Sequence, residues 1–273
     1  MIEPVVRAAL AEDLGRAGDI TSLACIEPDA RLTAVFAARQ GGVVAGLACA
    51  RLALLALDPQ ARFDAIAADG DPVQAGTVLA RVEANARALL AAERTALNLL
   101  CHLSGVASLT AAYVAEIAGT GAAILDTRKT TPGLRALEKY AVRCGGGVNH
   151  RFGLDDAILI KDNHIAACGG VGPAIRRAKA AAGRLVKVEA EVDSLAQLDE
   201  ALAEGPDVIM LDNFSLEDLR AAVARAKGRV TLEASGGVSL KTVRAIAETG
   251  VDVISVGALT HSAPVLDIGL DAV

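Results

Sequence analysis

Five basic side chains lie close together in the middle of the chain, and they are Arg128, Lys129, His150, Arg151 and Lys161. The first two follow the apolar segment 123–125, and the last follows the apolar segment 157–160. Pairing with a nearby acid such as Asp155 would explain one such cation, but not five. In a chain of formal net charge −6, this cluster predicts a pocket for a small molecule that carries several negative charges.

Two carboxylates and two glycine turns follow farther along the chain. The carboxylates are Glu191 and Asp212, and the turns contain Ser235, Gly236, Gly237, Gly257 and Ala258. Carboxylate oxygens suit Mg²⁺ bound together with a phosphorylated substrate, and the free N–H groups of glycine turns suit phosphate. A solvated loop would explain Glu191 equally well, and helix entries would explain the turns. Asp212 directly follows the apolar run 208–211 and needs a partner there.

Other basic residues have a structural interpretation. The histidines at positions 102, 164 and 261 are expected to make structural hydrogen bonds rather than to act in catalysis. Arg135, Lys139 and Arg143 lie four residues apart on one face of a predicted helix, where like charges repel. A solvated face is the expectation for them, with an acidic partner surface or a substrate phosphate as the alternatives.

The elements that must position these residues alternate between strand and helix from residue 106 onward. Six strands are predicted, at 123–125, 157–160, 185–188, 208–211, 230–232 and 253–255. Apolar strands separated by amphipathic helices indicate a parallel sheet covered by helices. Polar residues end almost every strand, as in a βα barrel, whereas an open sheet gathers them at one switch point. Six strands are too few for a complete barrel, so either the barrel is incomplete or one of its strands has no clear pattern in the sequence.

The first hundred residues predict a smaller mixed unit. Residues 2–14 have helical spacing, and short apolar stretches follow at 32–37, 42–45, 63–67 and 78–82. A helix over 85–103 and another over 106–118 are predicted to be separated by Ser104 and Gly105. Arg94, Asn98 and His102 form a polar line on the first of these helices, which is either a solvent edge or a set of groups pointing into a site.

Composition excludes several classes of protein. No apolar run is expected to be long and uncharged enough to cross a bilayer, and the acidic N-terminal helix is unlike a signal peptide. The five cysteines are scattered without a CxxC motif, which fits reduced thiols in the cytoplasm and neither a zinc cage nor a disulfide framework. Net acidity and an aromatic content of 2% argue against a nucleic-acid surface.

The stretch DTRKTTPGLRALEKYAVRCGGGVNHRFGLDDAILIKDNH, residues 126–164, resembles the signature region of the quinolinate phosphoribosyltransferases. The resemblance extends through EDLGRAGDIT, AERTALNLLCHLSG, VEAEVDSLAQL, IMLDNF, LEASGGV and VGALTHSAPVLDIGLD. It implies an α/β chain with an N-terminal α/β sandwich over 1–103 and a seven-stranded, TIM-like parallel βα barrel over 104–261. A tail over 262–273 would pack back on the N-terminal domain.

The resemblance also implies a reaction and an assembly. Quinolinate and phosphoribosyl pyrophosphate would give nicotinate mononucleotide, CO₂ and pyrophosphate with Mg²⁺, on the route to NAD. The protein would be a cytoplasmic homodimer in which the N-terminal domain of one subunit covers the barrel mouth of the other, with assembly beyond the dimer left open. Neither a nucleic acid nor a membrane is expected as a partner.

Residue roles follow from the same resemblance, position by position. Arg128, His150 and Arg151 would hold the two carboxylates of quinolinate, and Arg94 would reach in from the partner subunit. The residues implied in catalysis are Lys129, Lys161, Glu191 and Asp212. Both lysines would contact substrate and phosphoribosyl groups, both carboxylates would face the ribose and Mg²⁺, and the two glycine turns would bind the 5′-phosphate.

Two alternatives share this fold. One is a paralogue associated with molybdenum transport operons, which looks altered around the stretch LIKDNH that is intact here. The other is a non-catalytic sensor that binds a dicarboxylate or a nucleotide. Such a sensor would keep the basic cluster and would not need Glu191 together with Asp212.

Overall fold

The computed structural model describes residues 2–226 and 228–273. Their elements, in chain order, are α1 (Ile2–Leu14), α2 (Ile20–Cys25), β1 (Arg31–Ala38), β2 (Gly42–Val43), α3 (Leu47–Leu57), β3 (Arg62–Ala65), β4 (Pro72–Val73), β5 (Val78–Asn85), α4 (Ala86–Glu116), β6 (Ala123–Leu125), α5 (Arg135–Cys144), β7 (Ile158–Ile160), α6 (Asp162–Cys168), α7 (Val171–Ala181), β8 (Val188–Val192), α8 (Leu195–Glu204), β9 (Val208–Asp212), α9 (Leu216–Ala226), β10 (Thr231–Ser235), α10 (Val243–Ala247), β11 (Val253–Ser255), α11 (Ala258–His261) and β12 (Ile268–Ala272).

The chain divides into two compact units. The first contains Met1–Ala111, Thr130–Gly146 and Leu259–Val273, and the second contains Ala112–Lys129 and Gly147–Ala258. The sequence prediction kept 130–146 with the barrel, whereas the structure groups this segment with the first unit. One contact that joins this segment to the first unit is between Glu138 on α5, which is fully buried, and His102 on α4. Glu138 Oε1 lies 2.9 Å from His102 Nε2.

The first unit is built on a four-stranded antiparallel sheet with strand order β12-β1-β5-β3. The last strand of the chain pairs with the first, from Ala34 opposite Ala272 to Ala38 opposite Ile268. All five residues from Ala34 to Ala38 of β1 are buried, and Phe36, Leu79 and Val82 are at most 1% exposed. Burial of such apolar side chains contributes about 1.5–3 kcal/mol each.

The helix α4 is continuous through Ser104 and Gly105, so the predicted break between two helices is wrong. Ser104 does not end the helix because its Oγ accepts a hydrogen bond from Ala45 N at 3.0 Å and bonds Ala45 O at 3.2 Å. Gly105 is needed for close approach, since a Cβ atom there would overlap the backbone carbonyl oxygen of Pro264. Both residue types are helix breakers by propensity, and tertiary packing overrides that propensity here.

The apolar character of α4 also corrects the expectation about membrane-spanning segments. Residues 95–115 contain no charged side chain, and α4 is long and apolar enough to cross a bilayer by length and composition alone. Within the described structure, 56% of its most apolar 18-residue window is buried. Packing against the rest of the protein therefore accounts for the pattern, and one such helix is weak support for a membrane span.

We expect Gly105→Ala to lower the free energy of unfolding by about 2 kcal/mol, because overpacking against backbone atoms costs about 1–3 kcal/mol. Urea denaturation followed by circular dichroism measures this difference. Gly183→Ala is the matched control, since the nearest described atom to its new Cβ would be Val186 Cγ2 at an ordinary 3.7 Å. Equal stability of the two variants would contradict the close-packing role of Gly105.

The second unit is a parallel sheet with strand order β6-β11-β10-β9-β8-β7. Val148 adds a seventh position through a single parallel bridge to Leu125. This confirms the predicted fold class, an α/β chain with an antiparallel sheet unit followed by an incomplete parallel barrel of strands and helices. The helix α8 begins after Ser194, whose Oγ accepts a hydrogen bond from Gln197 N.

One predicted strand is misplaced. The strand expected at 185–188 lies at β8, Val188–Val192, and Leu185 is 93% exposed in the loop before it. The sequence VEAEV concealed this strand because glutamates are depleted in strands. Its period of two places Glu189 and Glu191 on one face of the sheet.

Candidate active site

A cavity of about 290 Å³ opens in the second unit at the carboxyl ends of the parallel strands. It is lined by Thr127, Arg128, Lys129, His150, Arg151, Leu159, Lys161, Met210, Glu233, Ser235 and Ser255. All five basic residues singled out in the sequence therefore share one cavity. The strands are parallel, so their carboxyl ends lie along the same edge of the sheet, as shown by the pairing of Ser235 with Asp212. Side chains that follow different strands are therefore brought to one cavity.

The loop that carries His150 and Arg151 is fixed to β6 by a buried aspartate. Asp126 is fully buried directly after β6, and it accepts hydrogen bonds from Asn149 Nδ2 at 2.6 Å and His150 N at 2.9 Å. A buried carboxylate requires such partners, because leaving it without them costs several kcal/mol. Asp126 thus holds the loop in register with the strand end that carries Arg128.

Two guanidinium groups in the cavity are only partly satisfied by the protein. Arg151 Nη1 donates to Ala157 O at 3.0 Å, but the buried Nε atoms of Arg151 and Arg128 have no hydrogen-bond partner in the described part of the chain. Burial, and next the charge of Arg128, lowers the pKa of Arg151, while Glu189 opposes that shift. Two cations held close together with donors to spare predict an anionic ligand with several acceptor oxygens.

Both ring nitrogens of His150 contact protein groups. Its Nδ1 accepts a hydrogen bond from Arg151 N at 2.7 Å. A backbone N–H can only donate, so Nδ1 is unprotonated and the proton of the neutral ring is on Nε2. Nε2 lies 3.1 Å from Glu189 Oε2 and 3.5 Å from Glu233 Oε2. His150 therefore makes hydrogen bonds within the site through both ring nitrogens.

The sequence did not select Glu189 and Glu233 as site residues. They are 7% and 2% exposed, and Oε1 of each has no hydrogen-bond partner among the described residues. Burial, and next the Glu189 carboxylate, raises the pKa of Glu233 to about 7, while His150 opposes the shift. The signal available in the sequence was the alternation in VEAEV and LEAS, which points these glutamates and Glu191 toward one face of the sheet.

A metal ion could bridge His150, Glu189 and Glu233 by distance alone, because their ligand atoms lie within 4.8 Å of one another. The hydrogen-bond distances around Nε2 and the adjacent guanidinium of Arg151 argue for a hydrogen-bonded cluster instead. A cation placed there would meet a second positive charge at close range.

The carboxylates expected to hold Mg²⁺ have different surroundings. Glu191 Oε2 lies 2.5 Å from Lys161 Nζ, so this carboxylate already has one cationic partner. Asp212, at the end of the neighbouring strand, is half-buried and accepts from Asn213 Nδ2 at 2.8 Å. Oxygen donors of this type fit Mg²⁺, provided that substrate oxygens and water complete the octahedral shell.

The first glycine turn has a left-handed backbone that favours glycine at both positions. Gly236 and Gly237 have φ of +96° and +61°, and a Cβ atom on Gly236 would overlap the Asn213 side chain. Ser235 lines the cavity directly before them. In the second turn, Gly257 and Ala258 follow β11 and its cavity residue Ser255. Phosphate binding at either turn stays a prediction.

Three histidines behave as the sequence predicted. His102 bonds Glu138, His164 Nδ1 accepts from Lys161 N at 3.0 Å, and His261 Nδ1 lies 2.5 Å from Ser262 Oγ. Their structural hydrogen bonding is confirmed.

The solvated face expected for the cations of α5 is wrong at its centre, because Lys139 is only 3% exposed. Arg135 Nε donates to Thr130 Oγ1 at 3.0 Å, and Arg143 is exposed.

Arg94 belongs to the first unit and does not line the cavity of the second. Its side chain is 66% exposed, and its guanidinium lies 3.0 Å from the adjacent Glu93. A surface pair of this kind holds an arginine only weakly, because it contributes about 0–1 kcal/mol.

Comparison with known proteins gives consistent matches over both halves of the chain. Residues 19–104 match the model of the quinolinate phosphoribosyl transferase N-terminal domain, and residues 106–271 match that of the C-terminal domain. A nicotinate-nucleotide pyrophosphorylase [carboxylating] of Mycobacterium leprae is 52% identical over 97% of this chain and 95% of its own. A quinolinate phosphoribosyltransferase [decarboxylating] of Nicotiana tabacum is 41% identical over 98% of this chain and 81% of its own.

Solved structures of related proteins have the same fold as this chain. The nicotinate-nucleotide pyrophosphorylase from Francisella tularensis has a TM-score of 0.96 at 42% identity, covering 100% of this chain and 96% of its own. Human nicotinic acid phosphoribosyltransferase is similar in fold alone, with a TM-score of 0.64 at 14% identity over 93% of this chain and 72% of its own.

Proposed function

The chain belongs to the quinolinate phosphoribosyltransferase family, and we propose that the cavity at the strand ends is where it carries out the reaction of that family. The enzyme is a pentosyltransferase that transfers a phosphoribosyl group from phosphoribosyl pyrophosphate to quinolinate. Decarboxylation then gives nicotinate mononucleotide and CO₂, with pyrophosphate as the other product. This reaction is a step in the de novo synthesis of NAD.

The observation that carries this proposal is the pair of half-buried arginines whose buried Nε atoms lack hydrogen-bond partners in the described residues. Quinolinate has two adjacent carboxylates, and a guanidinium fork matches a carboxylate in a way that an ammonium group cannot. Arg128 and Arg151 lie close enough for each charge to affect the other. Adjacent carboxylates would relieve that repulsion and supply the missing acceptors.

Sugar transfer requires stabilisation of a ribose ring that becomes cation-like as pyrophosphate leaves. Glu191 and Asp212, at the ends of β8 and β9, would supply negative charge to that ring. Lys129 and Lys161 line the cavity and would stabilise the oxygens of the leaving group. The turns at Gly236 and Gly257 would hold the 5′-phosphate through backbone N–H groups. No residue needs to act as a covalent nucleophile.

Loss of CO₂ needs an electron sink at the substrate ring. Once the ring nitrogen is alkylated it carries a positive charge, which stabilises the carbanion left at the neighbouring carbon when the C–C bond to CO₂ breaks. A proton from water then forms the C–H bond there and completes nicotinate mononucleotide. Arg128 and Arg151, which line the cavity, would orient the departing carboxylate.

We also propose Mg²⁺ as the cofactor. Glu191 is already paired with Lys161, and Asp212 is half-buried. These two carboxylates would therefore supply only part of the oxygen ligands of Mg²⁺, and the substrate would supply others. When bound, Mg²⁺ would supply charge neutralisation to the pyrophosphate.

A homodimer is the proposed assembly, with Arg94 of each subunit completing the cavity of the other. The support is the exposure of Arg94 beside a partner that holds it weakly. All five cysteines are free thiols, which supports a reducing compartment such as the cytoplasm.

The test is an assay with quinolinate, phosphoribosyl pyrophosphate and Mg²⁺ that follows CO₂ and nicotinate mononucleotide. We expect turnover of quinolinate, and turnover of nicotinic acid about a hundredfold slower, because the missing carboxylate leaves buried donors unpaired. Quinolinate binding without turnover would favour the sensor or the molybdenum-operon paralogue. Preference for nicotinic acid would overturn the assigned substrate.

A further inference from the structure

A buried glutamate lines a cavity that is otherwise built to attract anions. Glu233 is 2% exposed, and it faces the same space as Arg128 and Arg151. Its Oε1 has no hydrogen-bond partner among the described residues. An ionised carboxylate in that position would repel a dicarboxylate substrate, so its protonation state matters for binding.

The neighbours of Glu233 offer little to keep it ionised. His150 Nδ1 accepts a hydrogen bond from Arg151 N, and its Nε2 lies nearer Glu189 Oε2 (3.1 Å) than Glu233 Oε2 (3.5 Å). Glu189 adds a second carboxylate beside the first. Two interactions favour the ionised form of Glu233, namely the charge interaction with His150 and a hydrogen bond with Ser255.

We propose that Glu233 binds quinolinate as a carboxylic acid, so that the dianion enters the cavity together with one proton. As an acid, Glu233 would place no negative charge beside quinolinate. Its O–H would hydrogen-bond Glu189 or, once the buried Oε1, which has no hydrogen-bond partner among the described residues, turns toward the cavity, a carboxylate oxygen of quinolinate. This inference rests on the proposed function, since it takes quinolinate as the ligand. It makes Glu233 a determinant of specificity for dianions that the cations alone would not provide.

The direction of the pH effect follows from charge. The pKa of Glu233 is about 7 without ligand, and two further negative charges nearby would raise it. Above pH 7 the free site is largely ionised while the bound site is protonated, so binding takes up a proton and weakens as the pH rises. Below pH 7 the acid form already dominates, and the uptake falls.

Other charged groups face the same space without sharing this behaviour, and they are Glu189 on β8, His150 and Arg151 after Val148, Arg128 and Lys129 after β6, and Lys161 after β7. Arg and Lys side chains as a class already carry their protons near pH 8. His150 Nδ1 accepts a hydrogen bond from Arg151 N, and Glu189 Oε2 lies 3.1 Å from His150 Nε2.

The test is calorimetric titration of the whole protein with quinolinate, without phosphoribosyl pyrophosphate, in two buffers of different ionisation enthalpy at about pH 8. We expect wild type to take up about 0.7–1 proton per quinolinate, and its Kd to rise about eightfold between about pH 7.5 and 8.5. Glu233→Gln, which mimics the acid, should bind quinolinate with almost no proton uptake and a nearly flat Kd over that range. Glu217→Gln, an exposed carboxylate in the first turn of α9, is the control and should match wild type.

The wild-type measurement decides the question even without a folded variant. Quinolinate binding with no proton uptake would overturn the role of Glu233 and leave the proposed function standing. Unchanged uptake in Glu233→Gln would assign the proton to another group and also overturn it. A wild-type protein that binds no quinolinate would overturn the proposed function itself, and this inference with it.

Discussion

Arg128→Ala is expected to lower kcat/KM for quinolinate by about a thousandfold, which corresponds to about 4 kcal/mol of binding energy. Removal of one partner of a buried, hydrogen-bonded charge pair costs about 2–5 kcal/mol. The loss should appear mainly in the KM for quinolinate, and the KM for phosphoribosyl pyrophosphate should change much less. Steady-state kinetics with each substrate varied in turn measures both parameters.

Stability should change little in this variant. The Nε of Arg128 has no partner in the described structure, and its charge acts against that of Arg151. The free energy of unfolding should therefore stay within about 1 kcal/mol of wild type.

Two further variants separate charge from geometry. Arg128→Lys keeps the positive charge and loses the planar fork, so an intermediate loss of about tenfold to a hundredfold is expected. Arg177→Ala removes an exposed guanidinium from α7 and should leave the kinetics unchanged. A wild-type KM for quinolinate in Arg128→Ala would remove Arg128 from the substrate site.

The strands of the barrel could be predicted where apolar runs end in a polar residue. The strands β6 and β11 match their predicted limits, and β9 extends by one residue to Asp212. The strand β8 could not be placed, because its alternating glutamates resemble a solvated loop until the neighbouring strands are known. Local propensity contains no information about which face of a strand will be buried.

Helix α4 is a second element that local propensity predicted wrongly, because it continues where a break was expected. Ser104 and Gly105 signal a helix end when only neighbouring residues are considered. Their partners are Ala45 and Pro264, which are far away in the sequence. A break predicted from propensity was therefore overridden by contacts that the sequence alone cannot reveal.

In the candidate site, residue type was enough to predict that the basic residues line a cavity, but not that Glu189 and Glu233 are buried beside them. Clustered Arg and Lys are conspicuous in an acidic chain, and the structure brings them into one cavity. Glu189 and Glu233 counted only as polar residues at strand ends, because their burial beside His150 is visible only in the structure. The tautomer of His150 depends on a backbone N–H of the next residue, which requires coordinates.

Arg94→Ala should lower kcat/KM by roughly 300-fold, or about 3.4 kcal/mol, if its guanidinium completes the cavity of a partner subunit. Within the described residues its ion pair is the exposed one with Glu93, so folding should be unaffected. Arg62→Ala, which removes an exposed arginine from β3 of the same unit, is the matched control and should retain full activity.

Mixing Arg94→Ala protein with Arg128→Ala protein tests whether the cavity is shared. Random exchange of subunits gives mixed dimers as half of the population, and each mixed dimer has one site in which neither arginine is lost. Because only one of its two sites is repaired, the mixture should reach about a quarter of wild-type activity, measured once differently tagged subunits are shown to have exchanged. If Arg94 acts within its own chain, every site in the mixed dimer carries a defect and activity stays at the level of the single variants. An inactive mixture with proven exchange would therefore place Arg94 outside the partner's site.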